Sequence, residues 1–203
     1  MPQIDQLLIA TRNPGKVREI AAMLARNGIT ATTLADFPSL PDVEETGQTF
    51  LENAVIKAAA YSAAAGCHAL ADDSGLEVAA LDGRPGVFSA RYAGEYASYE
   101  TKIQTLLREV EDAAAPDRSA RFVCAMAFAD PSGNIVWSAE GVCDGELAPS
   151  PRGANGFGYD PIFMPFGFSQ TFGELDDEFK SAISHRAKAT EAFMRFFPDF
   201  IGL

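Results

Sequence analysis

"QLLIATRNPGK" occupies residues 6–16, and how it is read decides the fold. Its apolar first half predicts a buried strand over 6–11. Asn13 then suits a helix N-cap and Pro14 the first helical position. Gly28 suits the end of the helix that "VREIAAMLARNG" would form. A strand that turns into a helix is where an α/β protein holds an anion, because helix N-terminal amides and the helix dipole face it. Lys16 would add a full charge. The Walker pattern is not met, since Lys16 is followed by Val17 and the leading glycine is missing. The plainer alternative is a capped helix with a solvated lysine.

Working outward, 30–34 predicts a second strand, and "ADFPSLPDVEETG" (35–47) a loop. Thr49 and Glu52 form a capping box for a helix running to about Gly66. "HALADDSGLEVAAL" (68–81) reads as a short strand, a turn and another short strand. Ser98 starts a helix whose apolar residues Tyr99, Ile103, Leu106, Leu107 and Val110 recur at helical spacing. "ARFVCAMAFAD", "PSGN" and "IVWSAEGVC" predict a hairpin of two long strands. "PRGANGFGYDPIF" (151–163) is a glycine-rich, flexible loop entering a short strand, and Ser184 caps a last helix ending before Pro198. This order predicts an α/β fold with a mixed central sheet flanked by helices.

The chain has 203 residues, 47% of them hydrophobic, enough for one domain with a real core. Acidic residues outnumber basic ones by 28 to 16, which argues against nucleic acid as a partner but allows a local basic pocket for a small phosphorylated ligand. Cys67, Cys124 and Cys143 are widely spaced and without CxxC pairing, so they read as packing residues rather than zinc ligands or disulfides. No apolar stretch is long enough to span a membrane, and "MPQIDQ" lacks the basic start of a signal peptide. The expectation is a soluble, reduced, cytoplasmic protein.

Three further clusters carry chemistry. In "EETGQTFLENAVIKA" (44–58), Glu44 and Glu45 lie in a loop, while Asn53 and Lys57 sit one helical turn apart. They make either a phosphate- or acid-binding face or a plain polar one. In "ADDSG" (71–75), adjacent aspartates among apolar residues are costly without a cation. Carboxylates with phosphate oxygens suit Mg2+, and a spare carboxylate takes a proton from water. The alternative is an Asx turn with one exposed acid. The haloacid-dehalogenase pattern is not matched, so attack by water is favoured over a covalent aspartyl phosphate. In "FGYDPIF" (157–163) with "FKSAISHRAKA" (179–189), Phe157 and Tyr159 are placed to stack on a base and Asp160 to accept a hydrogen bond, unless the aromatics are core. His185 and Arg186 fall in a first helical turn, where positive charge is disfavoured. A Ser-His-Asp triad from Ser74 and His185 lacks the GxSxG elbow.

Together, "TRNPGK", "EETGQTFLENAVIKA", "ADDSGLEV", "GRPGVFSARYAG", "GFGYDPIF" and "KSAISHRAKA" resemble, in order and spacing, the inosine-triphosphate pyrophosphatase family, nearest its bacterial dITP/XTP branch. The resemblance spans about residues 8 to 190. It implies Mg2+-dependent hydrolysis of non-canonical purine nucleoside triphosphates (ITP, dITP, XTP) to monophosphate and pyrophosphate. It also implies a homodimer and an elongated fold of two lobes with an active-site cleft between them. By the same resemblance Thr11, Arg12, Asn13, Pro14, Gly15 and Lys16 contact the phosphates. Glu44, rather than Glu45, helps hold Mg2+. Asp73 binds Mg2+ and accepts the proton. Lys57, Ser74 and Lys180 contact substrate, and Phe157, Gly158, Tyr159 and Asp160 with His185 and Arg186 frame the base. A donor such as Arg186 or a backbone N–H would favour the C6 oxygen of hypoxanthine over the amino group of adenine. The rival readings are a pyrophosphatase of another base preference, a non-catalytic nucleotide-binding module, and a general phosphatase.

Overall fold

The computed structural model describes residues 6–114 and 117–201. Among these residues six strands form one sheet in the order β2-β1-β3-β4-β5-β6. They are β1 (Leu7–Ile9), β2 (Ala31–Thr33), β3 (His68–Val78), β4 (Ser119–Ala129), β5 (Ile135–Leu147) and β6 (Phe163–Pro165). The α-helices among the described residues are α1 (Pro14–Arg26), α2 (Phe50–Ala65), α3 (Tyr99–Glu111), α4 (Asp177–Ile183) and α5 (His185–Ile201). β1 pairs in parallel with β2 and β3, whereas β5 and β6 are antiparallel, so the sheet is mixed.

The chain divides into two compact units. The first comprises Met1–Asp73, Cys124–Gly141 and His185–Leu203; the second comprises Ser74–Val123 and Val142–Ser184. In the first, Leu7, Ile9, Leu70, Cys124, Met126 and Phe128 from the strands pack on Ile20 and Leu24 of α1 and Ala189, Phe193 and Phe197 of α5. In the second, Leu76, Val78, Phe122, Leu147 and Phe163 pack on Ile103, Leu106 and Val110 of α3, the helical stripe legible in its sequence.

The local signals around the first helix act as expected. Asn13 caps α1, its side-chain oxygen accepting from the amides of Gly15 (2.9 Å) and Lys16 (3.2 Å). Substituting Asn13 by alanine is expected to cost about 1 kcal/mol, read as a lowered urea midpoint with an unchanged slope. The capping box of Thr49 and Glu52 is complete, and Gly66 closes α2 in the left-handed region at φ 66°.

Two expectations are corrected. Residues 68–78 are one continuous strand rather than two strands and a turn, so Asp72 and Asp73 sit inside the sheet, both buried. The Asx-turn reading assumed that one acid faces water, and neither does. The last helix does not stop before Pro198 but runs through it to Ile201. Proline removes one helical hydrogen bond, yet Phe196, Phe197 and Phe200 of that turn all pack on Phe128, and this burial holds the helix. Ser184 ends α4, a helix the sequence reading did not predict and the one that carries Lys180.

Candidate active site

Side chains alternate across a strand, and β3 uses this alternation to send its two aspartates to opposite faces. His68, Leu70 and Asp72 face α1 and α5; Ala69, Ala71 and Asp73 face α2. Two polar half-clusters therefore meet at one point of the strand.

On the α2 face, Lys57 and Asn53 lie one turn apart and both reach Asp73. Lys57 Nζ is 2.9 Å from Asp73 Oδ1, and Asn53 Nδ2 donates to Asp73 Oδ2 at 3.2 Å. Lys57 Nζ also donates to Glu45 Oε1 at 2.6 Å, so one ammonium is shared between two carboxylates. Glu45, not Glu44, is the acid brought to this point; Glu44 lies exposed in the loop. The loop is fixed because Gly47 N donates to Asn53 Oδ1 at 2.8 Å. A Cβ on Gly47 would lie 2.7 Å from that oxygen and 2.9 Å from the Asn53 backbone nitrogen, so only glycine permits the approach.

On the α1 and α5 face, Asp72 is fully buried. Its Oδ2 accepts from Arg186 Nε (3.3 Å) and Nη2 (3.2 Å) and lies 3.2 Å from Lys16 Nζ. Cys124 Sγ donates to the same oxygen at 3.8 Å, which gives one of the three packing cysteines a polar contact. Arg186 is itself buried, and its Nη1 donates to Glu19 Oε2 at 2.5 Å.

The electrostatics follow from burial and partners. Burial pushes the Asp72 carboxyl up, but Lys16, Arg186 and Lys57 outweigh it and hold Asp72 well below the usual carboxylate range. For Asp73 burial wins: the carboxyl stands above its ordinary value despite Lys57 and Lys16, and Glu45 adds to the rise. Burial pulls Lys57 down, yet Asp73, Asp72 and Glu45 together keep its ammonium firmly charged. Adjacent aspartates thus differ in character: Asp72 is a fixed anion, and Asp73 is the more basic carboxylate.

The opening hexamer is placed differently from the simplest anion-site reading. The Gly15 and Lys16 amides are committed to Asn13, and Pro14 has none to offer. The contribution of α1 to an anion is therefore the Lys16 charge. Thr11 is buried, its hydroxyl oxygen accepting from Asn13 N at 3.3 Å. Arg12 turns to Leu40 O and ion-pairs with Asp42.

The remaining candidates lie in the second unit, apart from His185, which begins α5 in the first and is buried. Ser74 follows Asp73 on β3 and is partly exposed. Asp160 Oδ2 accepts from Phe157 N (2.7 Å) and from Lys180 Nζ (2.6 Å), and the Lys180 ammonium lies 4.7 Å from the Phe157 ring centre. Gly158 takes φ 68° between the two aromatics. Tyr159, expected to frame a base, is instead a core residue: its hydroxyl donates to Ser89 O at 3.0 Å and its ring meets Tyr99 edge-on. Phe157 is the half-exposed aromatic of the segment.

Asp72, Glu19 and Asn53 were not among the site residues expected from sequence. Asp72 carried a signal as half of an aspartate pair among apolar neighbours, and Asn53 as the polar residue one helical turn before Lys57; Glu19 carried none.

The Ham1 family model matches residues 7–196. A Geobacillus kaustophilus protein named dITP/XTP pyrophosphatase is 49% identical, with 98% of this chain and 97% of that protein covered. One of the same name from Geobacter sulfurreducens is 49% identical over 92% and 93% of the two chains. The solved structure of a HAM1 protein from Coxiella burnetii superposes with a TM-score of 0.88 at 43% identity, covering 97% of this chain and 100% of that one.

Proposed function

The chain belongs to the Ham1 family, and from that premise we propose that it hydrolyses non-canonical purine nucleoside triphosphates such as dITP, XTP and ITP. The products are the nucleoside monophosphate and pyrophosphate. The observation that carries this reading is the convergence of Lys16 and Lys57 on a buried aspartate pair.

The residues fit a divalent cation. Lys16, Lys57 and Arg186 are three cations against the four carboxylates of Glu19, Glu45, Asp72 and Asp73, which leaves an excess negative charge. A triphosphate is repelled by such a cluster unless more positive charge arrives with it. Glu45 and Asp73 already converge on the Lys57 ammonium, and carboxylate oxygens suit Mg2+. Among the described residues no group of three or more His, Cys, Asp or Glu forms a metal centre by itself. Asp73 and Glu45 are the residues that would hold Mg2+. When bound, it supplies charge neutralisation and a more acidic water.

The chain's own groups do the rest. Lys16 and Lys57 offset charge on the phosphates as the bond to the α-phosphorus forms. Asp73 accepts the proton of the attacking water, and Asn53 and Lys57 hold its carboxylate in place. Asp72 stays ionised and keeps Lys16 and Arg186 oriented. Phe157 and Lys180, ordered by Asp160, are assigned to the purine. A homodimer, a cytoplasmic location and a role in clearing deaminated purines from the nucleotide pool belong to the same proposal.

Incubation of the full chain with ITP, dITP, XTP, GTP and ATP in Mg2+ is expected to release pyrophosphate from the first three. Discrimination against ATP should reach on the order of 10⁴-fold, the range open to a site that hydrogen-bonds its substrate. Release of orthophosphate would point to a general phosphatase, and equal rates on all five would remove the base preference.

A further inference from the structure

Glycines 153, 156 and 158 make residues 151–160 look flexible in sequence, but the segment is bolted down. Asn155 N donates to Gly173 O (2.9 Å), and its Nδ2 donates to Leu175 O (3.0 Å). Gly173 N donates to Asp160 O (2.9 Å), and Arg152 N donates to Pro161 O (2.8 Å). Fully buried Thr171 closes the frame: its hydroxyl donates to Arg152 O (2.9 Å), and its amide donates to Glu174 Oε2 (2.9 Å). The backbones are so close that a Cβ on Gly153 would fall 2.1 Å from Gly173 C, and one on Gly173 would fall 2.5 Å from Arg152 O. Phe157, Asp160 and Lys180 are tied to this frame, because Asp160 sits at its end and binds both of the others.

We propose that Thr171 and Asn155 are positioning residues that pre-form the purine-recognising segment, so that base selectivity is set before substrate arrives. The proposal deepens the functional reading above and rests on its assignment of Phe157 and Lys180 to the base. A pre-formed segment loses little conformational freedom on binding. Its donors and acceptors are also held where only a matching ring edge satisfies them. Loosening the frame therefore weakens the good substrate most, since the poorly matched ones gain little from the frame.

The test uses three variants of the full chain. Thr171→Val keeps shape and loses the hydroxyl donor, Thr171→Ser keeps the donor, and Asn155→Ala removes the side-chain tie at an exposed position. In Thr171→Val and Asn155→Ala, KM for ITP is expected to rise about three- to tenfold, the scale of one lost hydrogen bond. kcat should stay within about twofold, and the ITP-over-GTP ratio should shrink by the same factor as the KM rise. Thr171→Ser is expected to restore the wild-type KM. An unchanged KM in both damaging variants overturns the proposal, and so does a Thr171→Ser enzyme as impaired as Thr171→Val. If the wild-type chain releases no pyrophosphate from ITP, it is the functional reading itself that has failed.

Discussion

Replacing Arg186 with methionine is expected to destabilise the protein by about 3–5 kcal/mol, the cost of leaving a buried charge without its partner. The magnitude follows from where the guanidinium sits. Arg186 and Asp72 are both essentially inaccessible to water, and two guanidinium nitrogens bind one carboxylate oxygen while a third binds Glu19. Methionine fills much of the volume but offers no donor, and Asp72 loses its guanidinium hydrogen bonds, keeping Lys16 in direct contact and the more distant charge of Lys57. The unfolding midpoint should fall by on the order of 10 °C for a chain of this size. Asp72→Asn in the same background should recover a large part of the loss, because the uncompensated charge is then gone. Acid behaviour follows with a definite sign. Asp72 is held below its unfolded value, so in the wild type its pairing stabilises the fold above the unfolded-state value of about 3.9. That contribution is lost only as pH falls through the lower folded-state value. The Arg186→Met variant should show less of this acid dependence. A loss below about 1 kcal/mol at neutral pH would mean that Asp72 is not the buried, paired anion described here.

The parts of this molecule that were legible in its sequence are those set by local chemistry. Asn13 and Pro14 announce α1, Thr49 and Glu52 announce α2, and the stripe from Tyr99 to Val110 announces α3, since caps and periodicity act over a few residues. The aspartate pair was misread locally for the opposite reason. "DDSG" has the composition of a turn, and it stays extended because Lys16, Lys57 and Arg186 arrive from three helices to neutralise it. None of those pairings has a local signature. Pro198 misled in the same way: the aromatic packing on Phe128 that carries α5 past it involves residues about 70 positions apart in sequence. In the site, residue types pointed to the clusters, but a choice between neighbours was out of reach. Glu45 rather than Glu44 faces Lys57 because Gly47 locks the loop to Asn53, a contact that becomes visible only once α2 has formed. Tyr159 shows the limit from the other side: an aromatic in a glycine-rich loop reads as a ligand contact, and here it anchors the core of its unit.

Substituting Asp73 by asparagine is expected to separate binding from chemistry in the proposed reaction. Asparagine has nearly the same shape, and its amide oxygen still accepts from Asn53, while Lys57 keeps Glu45 as a partner. The fold and the placement of the phosphates should therefore survive. The variant lacks a group that can take a proton. Asp73 is the carboxylate of the pair that meets Asn53 and Lys57, whereas Asp72 next to it is committed to Arg186 and Lys16 and is held too acidic to substitute. Pyrophosphate release from ITP should fall by about 10²- to 10⁴-fold, the usual worth of a positioned general base. Because Asp73 is also assigned to Mg2+, binding of a non-hydrolysable inosine triphosphate analogue is measured by calorimetry at saturating Mg2+, where it should weaken far less. The comparison with Glu45→Gln sharpens the assignment: that variant keeps the acceptor but alters the charge around it, so its loss should appear mainly as a higher Mg2+ requirement. If Asp73→Asn turned over at a rate near that of the wild type, the proton would have another destination, and the paired aspartates would be left with a purely electrostatic role.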